Sequence, residues 1–358
     1  MHAWRCPDAL SPPPPLFVTV THAHRKAPVW RTASAARWGT PSWNRTPGGE
    51  LSPCLCAWPA HTYALTLATF PSPPNRQATA ADFDPMWNAI RAEAQADAAS
   101  EPLLSSFLYA AILSHTSLER SLAFVLANRL SSPTLLATQL AELCTDVLEN
   151  NDAVALAARC DVAATRARDP ACRTHADCLL HFKGYHALQA HRIAHALWLQ
   201  GRTALALALQ SRCSEVFAVD IHPAATIGRG ILLDHGTGVV IGETAVVGDR
   251  VSICQGVTLG GTGKETGDRH PKICEGVLLG AHACVLGNIT VGQGAMVAAG
   301  SLVLKPVRAH AMVAGSPAKE VGTTSDPLPS LSMRQEKVCD EWNKAAEAAA
   351  KAKTEAAR

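Results

Sequence analysis

The sequence predicts an α+β protein in which an all-α segment precedes a parallel β-helix, and two observations carry that reading. Of 24 glycines, 19 fall between residues 219 and 322, while residues 82–218 hold only Gly184 and Gly201. Glycine is costly inside helices and useful where a chain turns often. Within the glycine-rich part, aliphatic residues recur at steps of six, a period that belongs to neither a helix nor an alternating strand. At 358 residues the chain exceeds one ordinary domain. Composition divides it into a leader (1–81), a helical domain (82–218), a β-helix domain (219–322) and a C-terminal tail (323–358).

The leader holds 13 of the 23 prolines and seven basic residues (Arg5, Arg25, Lys26, Arg31, Arg37, Arg45, Arg76) against two acids, Asp8 and Glu50. This basic, acid-poor pattern is that of an organelle transit peptide and lacks the compact apolar core of a secretory signal. In the helical part, Thr116 and Glu119 predict a capping box ahead of the stripe Leu118, Leu122, Val125, Leu126 and Leu130. Ser132-Pro133 predicts a helix restart with proline at the first position. A further helix is expected from about Leu179 to Gly201. Its His186, His191 and His195 read as packed or polar-face imidazoles, because no carboxylate or cysteine joins them at metal-ligand spacing.

In the β-helix part, Ile221, Ile227, Leu233, Val239, Ala245, Val251 and Val257 are six apart, and the series resumes with Ile273, Leu279, Val285, Val291, Val297 and Val303. A triangular coil with one inward aliphatic per side accounts for this, and these positions predict a little over four coils. The 16-residue step from Val257 to Ile273 requires a loop, GGTGKETGDRHPK, residues 260–272.

Bulk properties narrow the function. A formal net charge of +2 supplies no field for nucleic acid or an anionic membrane. Twelve cysteines are scattered without a CxxC, which predicts free thiols in a reducing compartment. No apolar run reaches the roughly 18 residues of a membrane-spanning helix. Chemistry is expected where the repeat is interrupted. Three clusters stand there: Asp220 with His222, Asp234-His235, and Asp268-Arg269-His270. A histidine with a nearby carboxylate is the usual general-base pair. Asp220 precedes His235 by 15 residues, close to one coil, so neighbouring coils can bring them together. His222, His235 and His270 also offer a zinc trio, but that reading leaves the aspartates and Arg269 unused.

The stretches VDIHPAATIGRGILLDHGTGVVIGETAVVGD, VTLGGTGKETGDRHPKI, LGNITVG and AGSLVL resemble serine O-acetyltransferases of the hexapeptide-repeat acyltransferases, most of all the plant-type members. The resemblance extends through SLERSLAFVLANRL, RDPAC and FKGYHALQAHRIAH and covers roughly residues 85–320. It implies a left-handed β-helix, a homo-oligomer (a trimer, or a dimer of trimers built by the helical domain), and acetyl transfer from acetyl-CoA to L-serine on the way to cysteine. It implies no metal and no bound cofactor, with acetyl-CoA as co-substrate. By motif, His235 matches the general base and Asp220 the acid that orients it. Asp234 and Asp169 match carboxylates that hold the serine ammonium, and Arg269 and His270 match the opposite wall of the site. Gly261 matches a backbone donor to the oxyanion and, with Gly280, Ala281 and Ala299, the acetyl-CoA contacts. Family members often dock the partner enzyme O-acetylserine sulfhydrylase with a C-terminal isoleucine; this sequence ends EAAAKAKTEAAR at Arg358 and departs from that mode. The leader together with the plant-type motifs points to the plastid, with mitochondrion and cytosol as alternatives.

Overall fold

The computed structural model describes residues 84–263, 266–335, 344, 347, 351 and 355. The leader lies outside the described residues. Of the tail's last stretch, Lys344, Glu347, Lys351 and Glu355 are described, each helical and exposed.

The helical part runs α1 (Pro85–Ser100), α2 (Ser105–Leu108), α3 (Leu118–Leu130), α4 (Ala137–Asn150), α5 (Asp152–Arg168), α6 (His175–His181), α7 (Lys183–Leu199) and α8 (Thr203–Phe217). Local chemistry sets these ends, and in three places it differs from the sequence expectation. Ser117, not Thr116, caps α3, its hydroxyl accepting from the Arg120 N–H, while Glu119 pairs instead with Arg159 across the bundle. At Ser132-Pro133 no helix starts. The Ser132 hydroxyl accepts from the N–H groups of Thr134 and Leu135, closing a turn that delays α4 to Ala137. The long helix expected from Leu179 is broken at Phe182, which is extended (φ −84°, ψ 100°). The break lets α7 set Gly184 directly on the coil: a Cβ there would lie 2.0 Å from the Leu233 carbonyl oxygen. His186, His191 and His195 are packed imidazoles. His186 Nε2 meets the Leu179 carbonyl at 2.7 Å, His195 Nδ1 meets that of Pro223 at 2.7 Å, and burial pulls His186 down to about 4.

Next come five coils. The first is β1 (Val219–Ile221), β2 (Thr226–Ile227) and β3 (Leu232–Leu233). The second is β4 (Val239–Ile241), β5 (Val246–Val247) and β6 (Ser252–Ile253). The third is β7 (Thr258–Gly260), β8 (Lys272–Ile273) and β9 (Leu278–Leu279), and the fourth is β10 (Cys284–Leu286), β11 (Thr290–Val291) and β12 (Met296–Val297). β13 (Leu302–Val303), a bridge at Val307 and β14 (Ala311–Ala314) form the fifth, closed by the antiparallel β15 (Lys319–Thr323). Parallel pairing stacks the strands into three faces; the first holds β1, β4, β7, β10 and β13.

Register corrects two expectations. Each side buries two positions, not one: Val219, Ala225 and Ile231 are as buried as Ile221 and Leu233. Ile221 pairs with Ile241 and not with Val239, so the first coil has two extra residues. A slip of two preserves which side chains point inward, so the period of six runs through the insertion unbroken. The surplus lies in Asp234-His235-Gly236-Thr237-Gly238. The fifth coil escaped the count because it is two residues short, Val313 pairing with Val297.

A buried ionic latch fastens the bundle to the first coil. Asp161 accepts from Arg192 Nε (2.8 Å), Gln189 Nε2 (2.9 Å) and the Ile231 N–H (2.9 Å), while Arg192 Nη2 donates to the Gly228 carbonyl (2.6 Å). With both charges hydrogen-bonded, the pair sets register at a tolerable desolvation cost. Cys144, Cys160, Cys172, Cys178, Cys213, Cys254 and Cys284 are free thiols, and no helix among the described residues is long and apolar enough to cross a membrane.

Candidate active site

The first face has two edges, and the candidate residues divide between them. At the edge where the chain enters β4, the two-residue insertion makes a wide turn. His235 (φ 54°), Gly236 (φ 78°) and Gly238 (φ 77°) are all left-handed there. The equivalent corners have one such residue each: Gly256, His282 and Gly300. A left-handed histidine costs about 1 kcal/mol, and here it thrusts the imidazole outward. The His235 side chain is 71% exposed, with Nε2 3.9 Å from Asp234 Oδ1.

Helix α5 brings the second carboxylate. Arg168, its last residue, is buried and donates to the Gly230 carbonyl (2.9 Å) and the Ser252 hydroxyl (3.1 Å), and burial lowers it to about 10. That anchor places the next residue, Asp169, within electrostatic reach of Asp234. Burial lifts the Asp234 carboxyl above its usual range; His235, through charge and its N–H, opposes the lift, and Asp169 adds to it. A paired, partly desolvated set of carboxylates suits a cationic ligand.

The edge where the chain leaves β4 is basic and tightly tied. The loop after β7 returns with Arg269 and His270. Arg269 Nη2 donates to Glu243 Oε2 (2.8 Å), and this partner holds the Glu243 carboxyl below its usual range. The His270 ring lies on Gly242, where a Cβ would come within 2.0 Å of Nε2. Burial first, then Arg269 and Lys272, keep His270 below its usual value, against Glu243 and Asp268. His222 belongs to this edge too, its ring edge-on to Trp198 at 5.2 Å and its Nδ1 accepting from the Ala224 N–H.

Asp234, His235 and Asp169 are therefore brought together, as are Arg269 and His270, but the two groups are not. The three residues of β4 separate them by about 10 Å of strand, at about 3.3 Å per residue. Asp220 sits on β1 between the edges, opposite Val240, and its carboxylate accepts from Gln210 Nε2 at 2.6 Å; within one chain it does not touch His235. Gly280, Ala281 and Ala299 climb the entering edge above His235, with the Gly300 N–H donating to the Ala281 carbonyl at 2.8 Å. Gly261 lies at the leaving edge beside the Arg269 side chain. The histidines of the zinc trio are likewise split, His235 from His222 and His270. Sequence reasoning passed over Glu243, Arg168 and Gln210, which sit in stretches that read as wall or helix face.

An exposed imidazole with carboxylates on one edge of a parallel β-helix face, and a guanidinium on the other, fits an acyltransferase of the hexapeptide-repeat type. The profile described as "Serine acetyltransferase, N-terminal" matches residues 86–190. "Serine acetyltransferase 4" of Arabidopsis thaliana is 63% identical over 258 residues, 72% of this chain and 73% of that protein. The soybean serine acetyltransferase solved with serine is 58% identical, with a TM-score of 0.65 over 66% of this chain and 97% of that one. The Brucella abortus enzyme solved with coenzyme A is 51% identical, with a TM-score of 0.67 over 68% of this chain and 98% of that one. The chain belongs to the serine acetyltransferase family; it is an enzyme of that class, and its coil is the left-handed β-helix of these structures.

Proposed function

We propose that this chain transfers the acetyl group of acetyl-CoA to the hydroxyl of L-serine, giving O-acetyl-L-serine and CoA, the first step of cysteine biosynthesis. One observation carries the reading. A turn widened by two residues and carrying three left-handed ones projects His235 beside Asp234 and Asp169, in a chain 63% identical to a plant serine acetyltransferase. His235 Nε2 takes the serine hydroxyl proton as that oxygen attacks the thioester carbonyl. The carboxylates of Asp234 and Asp169 hold the serine ammonium, and Arg269 and His270 receive its carboxylate end. The Gly261 N–H faces the oxyanion of the tetrahedral intermediate. Collapse expels the CoA thiolate, which takes the proton back from the His235 imidazolium. The acid assigned to orient His235 is Asp220, although within one chain its carboxylate meets Gln210 and not the imidazole. Coenzyme A lies along Gly280, Ala281 and Ala299.

Because one chain holds the two halves on opposite edges of a face, the complete site forms between protomers of a homotrimer, the entering edge of one facing the leaving edge of the next. The basic, proline-rich composition of residues 1–81 supports a plastid address, which a fluorescent fusion of that segment would test.

The reaction is tested by CoA thiol release from acetyl-CoA with L-serine, against homoserine and no acceptor. Serine-dependent release is expected; release that ignores serine, or prefers homoserine, overturns the reading.

A further inference from the structure

The loop after β7 carries Arg269 and His270, and a loop is a poor platform for a binding wall unless something ties it down. The tie is Thr244. Its hydroxyl oxygen accepts from the N–H groups of Arg269 (3.0 Å) and His270 (3.1 Å), so both lone pairs are filled and the hydroxyl can act further only as a donor. The acceptors in reach are Asp268 and His270 Nδ1, the latter 2.9 Å away. The Thr244 N–H also donates to His270 Nδ1, at 3.2 Å. The Thr244 N–H aimed at Nδ1 leaves a proton no place there, so the ring carries hydrogen on Nε2, and the hydroxyl's one proton is shared between Nδ1 and Asp268. Lys272 reinforces the clasp, donating to the Thr244 carbonyl (2.7 Å), the His270 carbonyl (3.0 Å) and Asp268 (2.5 Å).

We propose that Thr244 is a positioning residue of the serine site: it clamps the Arg269-His270 backbone to the coil corner and holds His270 as a neutral Nε2–H donor. This rests on the reading that Arg269 and His270 form the serine wall. The charged groups around the ring are the cations Arg269 and Lys272 and the carboxylates Glu243 and Asp268, with His222 at the same edge.

The test compares Thr244→Val and Thr244→Ser in the full chain, by KM for L-serine and for acetyl-CoA and by the pH dependence of kcat/KM for serine. Valine removes the clamp and one donor to Nδ1, leaving the ring easier to protonate. Serine KM should rise about tenfold or more while acetyl-CoA KM stays within about twofold, and the acidic limb should move to higher pH. Serine at 244 should restore both. Unchanged kinetics in Thr244→Val, an equal rise in both KM values, or a Thr244→Ser variant as impaired as valine would overturn the proposal alone. A wild-type chain without serine-dependent release would overturn the functional reading beneath it.

Discussion

The two edges of the first face are built on opposite plans. At the entering edge, His235 is exposed on a strained turn beside Asp234, whose carboxyl burial and the charge of Asp169 make reluctant to ionise. At the leaving edge, Arg269 and His270 are saturated with partners, namely Glu243, Thr244 and the Lys272 clasp. The difference teaches a division of labour. In the proposed reaction, the group that must accept and return a proton is kept free to meet its substrate, whereas the groups that recognise charge are fixed in advance, because preorganised donors bind without further ordering.

The largest expected effect breaks the entering edge alone. Asparagine tolerates the left-handed backbone that His235 occupies but is no base. His235→Asn should therefore lower kcat by about 10²- to 10⁴-fold, with an unchanged circular dichroism spectrum and sedimentation profile; near-normal turnover would remove His235 from the reaction.

The next experiment asks whether the edges meet across protomers. His235→Asn and Arg269→Ala, each inactive alone, should recover about a quarter of wild-type activity when co-assembled as random mixed trimers, since one interface in four pairs two intact edges. No recovery would mean that both halves act within one chain.

Neutralising one carboxylate sharpens the contrast in electrostatics. Asp234→Asn should raise serine KM about 10- to 100-fold, the worth of one hydrogen bond to a charged group. Stability should move the other way. The folded chain holds the Asp234 carboxyl above its unfolded value, so ionising it weakens the fold once pH exceeds the ordinary range of about 4. Asparagine removes that penalty. The melting temperature at pH 7 should equal or exceed that of the wild type, and the two should converge below about pH 4; a clear loss at pH 7 would contradict the assigned burial.

The smallest effect concerns the support beneath the entering edge. Gly184→Ala places a Cβ against the Leu233 carbonyl, and overpacking of this kind costs about 1–3 kcal/mol. Denaturant unfolding should show that loss, with kcat reduced more than acetyl-CoA KM is raised, because the displaced segment leads straight into Asp234-His235.

Much of this molecule is legible along the chain. The period of six declares a coil, since the inward positions of a triangular prism recur with its sides whatever the loops do. Asp234 and His235 stand out because they are adjacent and polar within an aliphatic run. RDPAC and GDRHPK mark Asp169, Arg269 and His270 as a resemblance, not as geometry. Helix ends were harder, as at Ser117 and Phe182, because a cap or a break is chosen by competing local bonds and by what the helix must touch.

The amino-acid sequence by itself determined that helices precede a β-helix and which residue types interrupt the wall, because periodicity and composition are local properties. Only the tertiary structure decided that two surplus residues push His235 out of its column, that Arg168 carries Asp169 to Asp234, that Thr244 fastens the basic loop, and that the candidate site is divided between two edges. Each of these depends on the register between coils or between helix and coil. Register is fixed by pairs some 20 to 80 residues apart, such as Ile221 with Ile241, Thr244 with His270, and Arg168 with Ser252, and separations of that size leave no periodic trace in the chain.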